Sequence, residues 1–404
     1  MFKIISFVYL NILVLNLAFT QDKSDKYFSL SIQFDQDVLY YGNEDRNYTQ
    51  GLGIEVTSSR LNTFIHNGLK RFDQFKSNLY RGKDNRSDLV FNYNNISFFG
   101  AGFTPDSLGT VSIVHGDRPY SSIGGLSFGI THNGHQGKKG QLSFVSRFSK
   151  VNVGLFGLQA AESLQAWIHT ANEFHEDTIL YINPVKPYGW DNQISNGGGL
   201  TFLYQSGGSY LITKKYLKKF TSKPISKKGW VASESERLGW LARHFELQLG
   251  YNYSVGYYNK AQINSGFRFG SINPTNWSVK KSSDGDFNNF VEDFHLLSES
   301  NDVHNIKKNE FFLFGHLGGN FMLYNSMLRG QILEFLNFGE TRYVLEANEV
   351  NPLYLEGKIG IGFNIDWFNA FIVPIAFRTS ELNTIDKFKR THYWGEIRVG
   401  INIK

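Results

Sequence analysis

The sequence contains no cysteine, and only 8 prolines and 3 methionines among its 404 residues. Without cysteine there is no disulfide framework, so stability must come from burial or from a sheet that closes on itself. Beyond the N-terminal stretch no window approaches the roughly 18 consecutive apolar residues of a membrane-spanning helix, so transmembrane helices are excluded. The formal charge of +5 is mild and gives no reason to expect a nucleic-acid partner. What the chain has in quantity is glycine and aromatic rings: 40 Gly, 36 Phe and 21 Tyr. Together with alternating polarity, that is the composition of a membrane barrel. Glycines relieve crowding along curved strands, and rings populate the two interfacial girdles.

Residues 1–20 read MFKIISFVYLNILVLNLAFT. Lys3 gives a short positive start, Ile4 to Leu17 is almost wholly apolar, and Ala18-Phe19-Thr20 forms a small-x-small ending. This is the pattern of a cleavable secretory signal. The alternative, an N-terminal helix of the folded protein, needs a partner surface that nothing in the sequence suggests. Residues 21–404 then form one exported domain.

Along that domain, stretches of about ten residues alternate with period two. In the last, Tyr393, Ile397, Val399, Ile401 and Ile403 oppose His392, Glu396, Arg398 and Asn402. Residues 354–367 set Leu355, Ile359, Ile361, Phe363, Ile365 and Trp367 against Glu356, Lys358, Asn364 and Asp366. Residues 244–255 set Phe245, Leu247, Leu249, Tyr251, Tyr253 and Val255 against His244, Glu246, Gln248, Asn252 and Ser254. A soluble sandwich also alternates. Export, the number of strands and a chain ending inside a strand favour a closed antiparallel transmembrane barrel, which leaves no open edge in lipid. About twelve strands are expected: 27–37, 48–58, 92–104, 119–132, 140–157, 197–207, 243–255, 259–271, 309–324, 354–366, 369–380 and 391–403. An even count puts both termini on the periplasmic side. The segment 158–196 then becomes an outward loop, while 59–91, 213–240 and 272–308 are polar insertions. One of them carries Lys214, Lys215, Lys218, Lys219, Lys223, Lys227 and Lys228, read as a solvated face.

Three groups could carry chemistry. The segment 158–174, LQAAESLQAWIHTANEF, has no Gly or Pro and many helix formers, so a helix is expected over 158–176 at the outer rim. Within it Gln165 and His169 are spaced i,i+4 on one face, with Glu162 a turn earlier. His169 could be a general base or metal ligand, or an ordinary histidine on a surface helix. The second group lies where strands one and two meet the rim. Asp35 and Asp37 flank Gln36, and across the loop come Asp45, Arg46, Tyr48 and Thr49. Clustered oxygen donors of this kind suit a hard cation such as calcium. The third is GDRPY at 116–120, where Asp117 and Arg118 could form an ion pair that fixes the loop, or Arg118 could contact a phosphate.

In order, FDQD at 34–37, DRNYTQG at 45–51, FTPD at 103–106 with GDRPY, GLFGLQAAESLQAWIH at 154–169 and PYGWDNQISN at 187–196 resemble the lipid A 3′-O-deacylase family of outer-membrane enzymes. The resemblance covers about the first half of the chain; the second half matches only as barrel strands. It implies a twelve-stranded barrel in the outer membrane of a Gram-negative bacterium, acting as a monomer on lipid A or lipopolysaccharide in the outer leaflet. It implies calcium-dependent hydrolysis of the 3′-linked acyloxyacyl ester. It places the family's histidine base at His169, its helix glutamine at Gln165 and its strand-two threonine at Thr49. The Asn-Asp pair falls on Gln36 and Asp37 as calcium ligands, and Arg118 and Asp35 are left as substrate contacts. In this mechanism His169 takes a proton from the attacking water, and calcium stabilises the oxyanion.

The chain departs from the pattern in two ways. Gln36 stands where the family has asparagine, and the stretch 106–115, where the family has a lysine, has none; His115 and Arg118 are the nearest cations. An acidic residue after the histidine could be Glu173, Glu176 or Asp177. A calcium-dependent phospholipase, or an inactive structural or channel barrel of the same family, are the competing readings.

Overall fold

The computed structural model describes residues 28–40, 50–58, 61–80, 88–106, 108–136, 143–172, 187–211, 244–272, 309–365 and 367–403. The signal segment 1–20, the lysine cluster at 214–228 and Glu173, Glu176 and Asp177 lie outside these residues. Among the described residues twelve strands follow in chain order. They are β1 (Phe28–Gln36), β2 (Gln50–Ser58), β3 (Asp88–Phe103), β4 (Ser121–Gln136), β5 (Ser143–Phe156) and β6 (Gly199–Leu211). The second half supplies β7 (Phe245–Gly256), β8 (Tyr258–Ser271), β9 (Glu310–Asn325), β10 (Leu353–Ile365), β11 (Phe368–Arg378) and β12 (His392–Ile403). Each pairs antiparallel with its neighbour in sequence, and β1 pairs with β12 from Phe28 opposite Ile403 to Gln36 opposite Gly395. The barrel is closed, and all twelve segments marked by alternation are strands.

The faces are those of a barrel rather than a sandwich. On β7 the exposed residues are Leu247, Leu249, Tyr251 and Val255, while Glu246, Gln248, Asn252 and Ser254 are buried. On β10 Leu355, Ile359, Ile361 and Phe363 are exposed, and Glu356, Lys358 and Asn364 buried. An outward face this apolar suits hydrocarbon, and the polar side turns into the lumen. Buried charges there need partners. Arg268 Nε donates to Glu246 at 2.8 Å, Lys358 Nζ to Glu396 at 3.0 Å and Arg378 Nη2 to Glu356 at 3.2 Å. The lumen also holds an apolar cluster that includes Phe99, Phe103, Ile123, Phe156, Leu203 and Met322. The barrel is filled by its own side chains.

Two long helices sit at opposite ends. Helix α1 (Phe64–Tyr80) belongs to the β2–β3 connection, on the end that carries both termini. Helix α2 (Gln159–Asn172) belongs to the β5–β6 connection at the other end. In an even-stranded outer-membrane barrel the termini mark the periplasmic end, so α2 stands at the outer rim as expected. Helix α1 corrects the reading of 59–91 as a merely polar insertion: it lies on the barrel's outward wall. By strand parity the β6–β7 and β8–β9 connections leave from the periplasmic end too.

A candidate site on the outward wall at the rim

Helix α2 is fixed to the outside of the barrel by the residues that lead into it. At Gly157 φ is +69°, and a Cβ there would lie 1.7 Å from the Ser195 carbonyl oxygen, so only glycine fits the reversal. Ser122 Oγ accepts from the Leu158 N–H at 2.7 Å and donates to Gln193 Oε1 at 2.8 Å. The helix then buries Ala161 against Tyr120 and Trp190, whose ring centroids lie 5.1 Å apart. Trp190 Nε1 donates to Gln165 Oε1 at 2.7 Å, with both side chains buried. Gln165 Nε2 is buried and hydrogen-bonded to nothing among the described residues. The amide is therefore held by its oxygen while its N–H donors stay available, a disposition suited to a carbonyl or oxyanion.

Between α2 and β1 the wall is bare on β3, while β2 turns Leu52 outward with the parity of the exposed Ile54. The register carries one level of the rim from Gln50 to Gly102 to Ser122, and the level below it from Leu52 to Gly100 to Gly124. On β3 the buried Phe99, Ala101 and Phe103 point inward, so Gly100 and Gly102 face out. A Cβ at Gly124 would meet Leu158 at 2.9 Å, under the start of α2. At Gly100 the nearest atom, the Ile123 carbonyl oxygen, is 4.0 Å away. Strands lie about 4.8 Å apart, so β1 and β4 bracket a floor about 14 Å wide.

Gln36 is on the far side of this floor. It shares the outward parity of the exposed Ile32 and is buried where the chain turns. Asp37 follows it in a 3-10 turn, Asp37–Leu39, and is buried. That turn folds outward over β12: Leu39 sits against Gly395, and Tyr40 stacks on Tyr393 with centroids 5.0 Å apart. Thr49, with Asp45, Arg46 and Tyr48, lies outside the described residues. His169 is in α2 one turn beyond Gln165; its backbone alone is described. Among the described residues no group of three His, Asp or Glu gathers as a metal site. Asp37 and Gln36 offer two oxygen donors of the kind a hard cation takes.

Asp35 and Arg118 do not join this group. Asp35 faces the lumen and accepts from Gln33 Nε2 at 2.9 Å. The Arg118 guanidinium turns into the lumen mouth, lies 4.5 Å from the centroid of the Phe103 ring and pairs with Glu381 at 2.5 Å. Asp117 is thus not its ion-pair partner. Instead Asp117 accepts the backbone N–H groups of Asp106 and Arg118, each at 2.7 Å. Burial pushes the Asp117 carboxyl up, against the pull of those two donors. Burial would raise Glu381 as well, but Arg378 and Arg118 outweigh it and hold that carboxyl at about 2. The loop lacking the family lysine receives a cation from elsewhere, since Arg390 pairs with Asp106 at 2.7 Å. His115 packs edge-on against Tyr343. Of the residues that position Gln165, Trp190 and Gln193 lie within the PYGWDNQISN motif and Ser122 in none; their roles emerge only once the strands are in register.

A family model described as "Outer membrane protein LpxR" matches residues 5–403. The fold is similar to that of LpxR from Salmonella typhimurium, at a TM-score of 0.55 and 12% identity over 92% of this chain and 99% of that one. The translocator domain of autotransporter NalP from Neisseria meningitidis gives a TM-score of 0.36 at 8% identity, over 97% of this chain and 92% of that one. The beta domain of the Bordetella autotransporter Brka gives 0.37 at 8% identity, over 94% and 100%. No curated protein matches the chain by sequence.

Proposed function

Because the chain belongs to the outer membrane protein LpxR family, we propose that it is a lipid A 3′-O-deacylase working at the outer leaflet. The observation that carries this reading is the buried Gln165 amide, held by Trp190 at 2.7 Å with its N–H donors unused, on a helix against the lipid-facing wall. An ester carried by a lipid can reach such a group while its acyl chains stay in the membrane.

In this reading His169 accepts a proton from water as the water oxygen bonds to the ester carbonyl carbon. Gln165 Nε2 donates to the carbonyl oxygen as it gains charge. The bond from carbonyl carbon to the 3′-oxygen of lipid A then breaks, and the proton passes from His169 to that oxygen. The products are the free acyloxyacyl acid and a 3′-hydroxyl. Thr49 completes the set by its place in the family pattern. Calcium, held by Asp37 and Gln36, would supply positive charge for the developing oxyanion. Asp35 and Arg118, turned to the lumen, are given no contact with substrate.

The test is mass spectrometry of lipid A from cells that make the wild type or His169→Ala. Loss of the 3′ acyloxyacyl group with the wild type alone is expected. An unchanged spectrum, with the barrel folded and calcium present, would overturn the assignment. Cleavage of phospholipids in the same cells would instead mark a phospholipase.

A further inference from the structure

Helix α1 is arranged inside out for a helix in water. On the side against the barrel are His66, Leu69, Asp73 and Lys76, while Phe64, Gly68, Arg71, Phe72 and Phe75 are exposed on the opposite side, with Asn67 and Gln74 exposed along one flank. Exposure is 85% at Phe64, 46% at Phe72 and 59% at Phe75. A helix between protein and water turns its apolar stripe inward and its charges outward. Here the wall side carries the polar contacts. His66 Nε2 donates to the Asn95 carbonyl at 2.9 Å, and Ser149 Oγ donates to Asp73 at 2.6 Å. Lys76 Nζ donates to Tyr204 Oη at 2.6 Å, Ser206 Oγ at 3.0 Å and Ser149 Oγ at 3.1 Å.

The wall beneath explains the inversion. Ser149 shares the outward parity of the exposed Val153, and Ser206 that of the exposed Phe202, yet both serines are buried. Bare, these positions would set hydroxyls against hydrocarbon, where polar groups lacking partners are costly. Helix α1 covers them and offers phenylalanines in their place. Its exposed face continues the apolar band of Leu126, Val153 and Phe202 on the strands beside it. Arg71 lies on that same exposed face, in a helix that starts from the end of the barrel carrying the termini, and its stem is long enough to run along the rings toward a headgroup.

We propose that α1 is a lipid-facing helix of the periplasmic leaflet. Phe64, Phe72 and Phe75 rest among phospholipid acyl chains, and Arg71 binds a headgroup phosphate. This holds whether or not the rim site is a deacylase.

The chain has no cysteine, so single variants Phe72→Cys and Phe75→Cys take a spin label at one place. Val111→Cys, on an exposed rim loop, is the water-side control. The protein is reconstituted in phosphatidylethanolamine–phosphatidylglycerol vesicles, with barrel closure checked by heat-modifiable migration on gels. Labels at 72 and 75 are expected to collide several-fold more with oxygen than with a water-soluble nickel chelate, and the label at 111 to do the reverse. Water-like behaviour at 72 and 75 overturns the proposal. So does immobilisation that grows with protein-to-lipid ratio, since a second copy would then be the occupant. For Arg71, phosphatidylglycerol retained by the purified barrel is read by native mass spectrometry. Loss of at least half in Arg71→Gln is expected, and unchanged retention removes Arg71 from the site.

Discussion

Gln165 and Glu381 are both buried polar side chains at the outer end, and each depends on one kind of partner. Trp190→Phe keeps the ring against Tyr120 but removes the only donor to Gln165 Oε1 among the described residues. One neutral hydrogen bond is worth about 1 kcal/mol, so the barrel should remain folded. The turnover of purified enzyme on lipid A micelles should fall by roughly tenfold, the equivalent of about 1.4 kcal/mol of lost positioning. Glu381 behaves differently, because it neutralises Arg118 and Arg378 together. Glu381→Ala removes the carboxylate paired with the buried Arg118 and leaves Arg378 with Glu356 alone, and should cost about 3–5 kcal/mol, read by urea unfolding at pH 7. Its carboxyl is held at about 2 instead of the usual 4.5. The folded state therefore binds this proton later than the unfolded chain does. The contribution is complete above the unfolded value and is lost as pH falls through the folded one. The stability gap between wild type and Glu381→Ala should accordingly narrow between pH 4.5 and about 2.

Elements differ in how openly the sequence announces them. The strands were legible because a lipid-facing side and a filled lumen impose strict alternation, and Leu247 to Val255 keeps it without a break. The rim helix was legible from its composition, without Gly or Pro and rich in helix formers. The Arg118–Glu381 pair was not, since its members are 263 positions apart and Asp117, the immediate neighbour, looked the natural partner. Helix α1 was hidden for a different reason. Its aromatic side faces away from the protein and its polar side toward it, so a pattern judged against water reads as an unstructured polar insertion. The lead into α2 gives a test at this scale. Gly157→Ala combines a positive φ with a clash at the Ser195 carbonyl. It should raise hydrogen exchange over 158–166 and lower deacylation together, while the exchange of β7 to β10 stays as in the wild type.

For the molecule as a whole, a lumen crossed by ion pairs and packed with phenylalanines is a strut rather than a conduit. Reconstituted in planar bilayers, the protein should carry no steady ion current; a stable conductance would revive the channel reading. Removing calcium with a chelator should abolish deacylation and leave heat-modifiable migration unchanged, which separates a cation needed for chemistry from one needed for folding. Helix α1 also sets a clock on assembly. It is drawn from the connection between the second and third strands, yet Lys76 binds Ser206, 130 positions downstream on the sixth. Its seat does not exist until half the barrel stands. A chain entering the membrane strand by strand from its N-terminus would meanwhile present Ser149 to oil, an outlay avoided if β3 to β6 enter with the helix already laid across them. Burial of a cysteine placed at Leu69 would then rise in step with barrel closure, neither earlier nor after a lag.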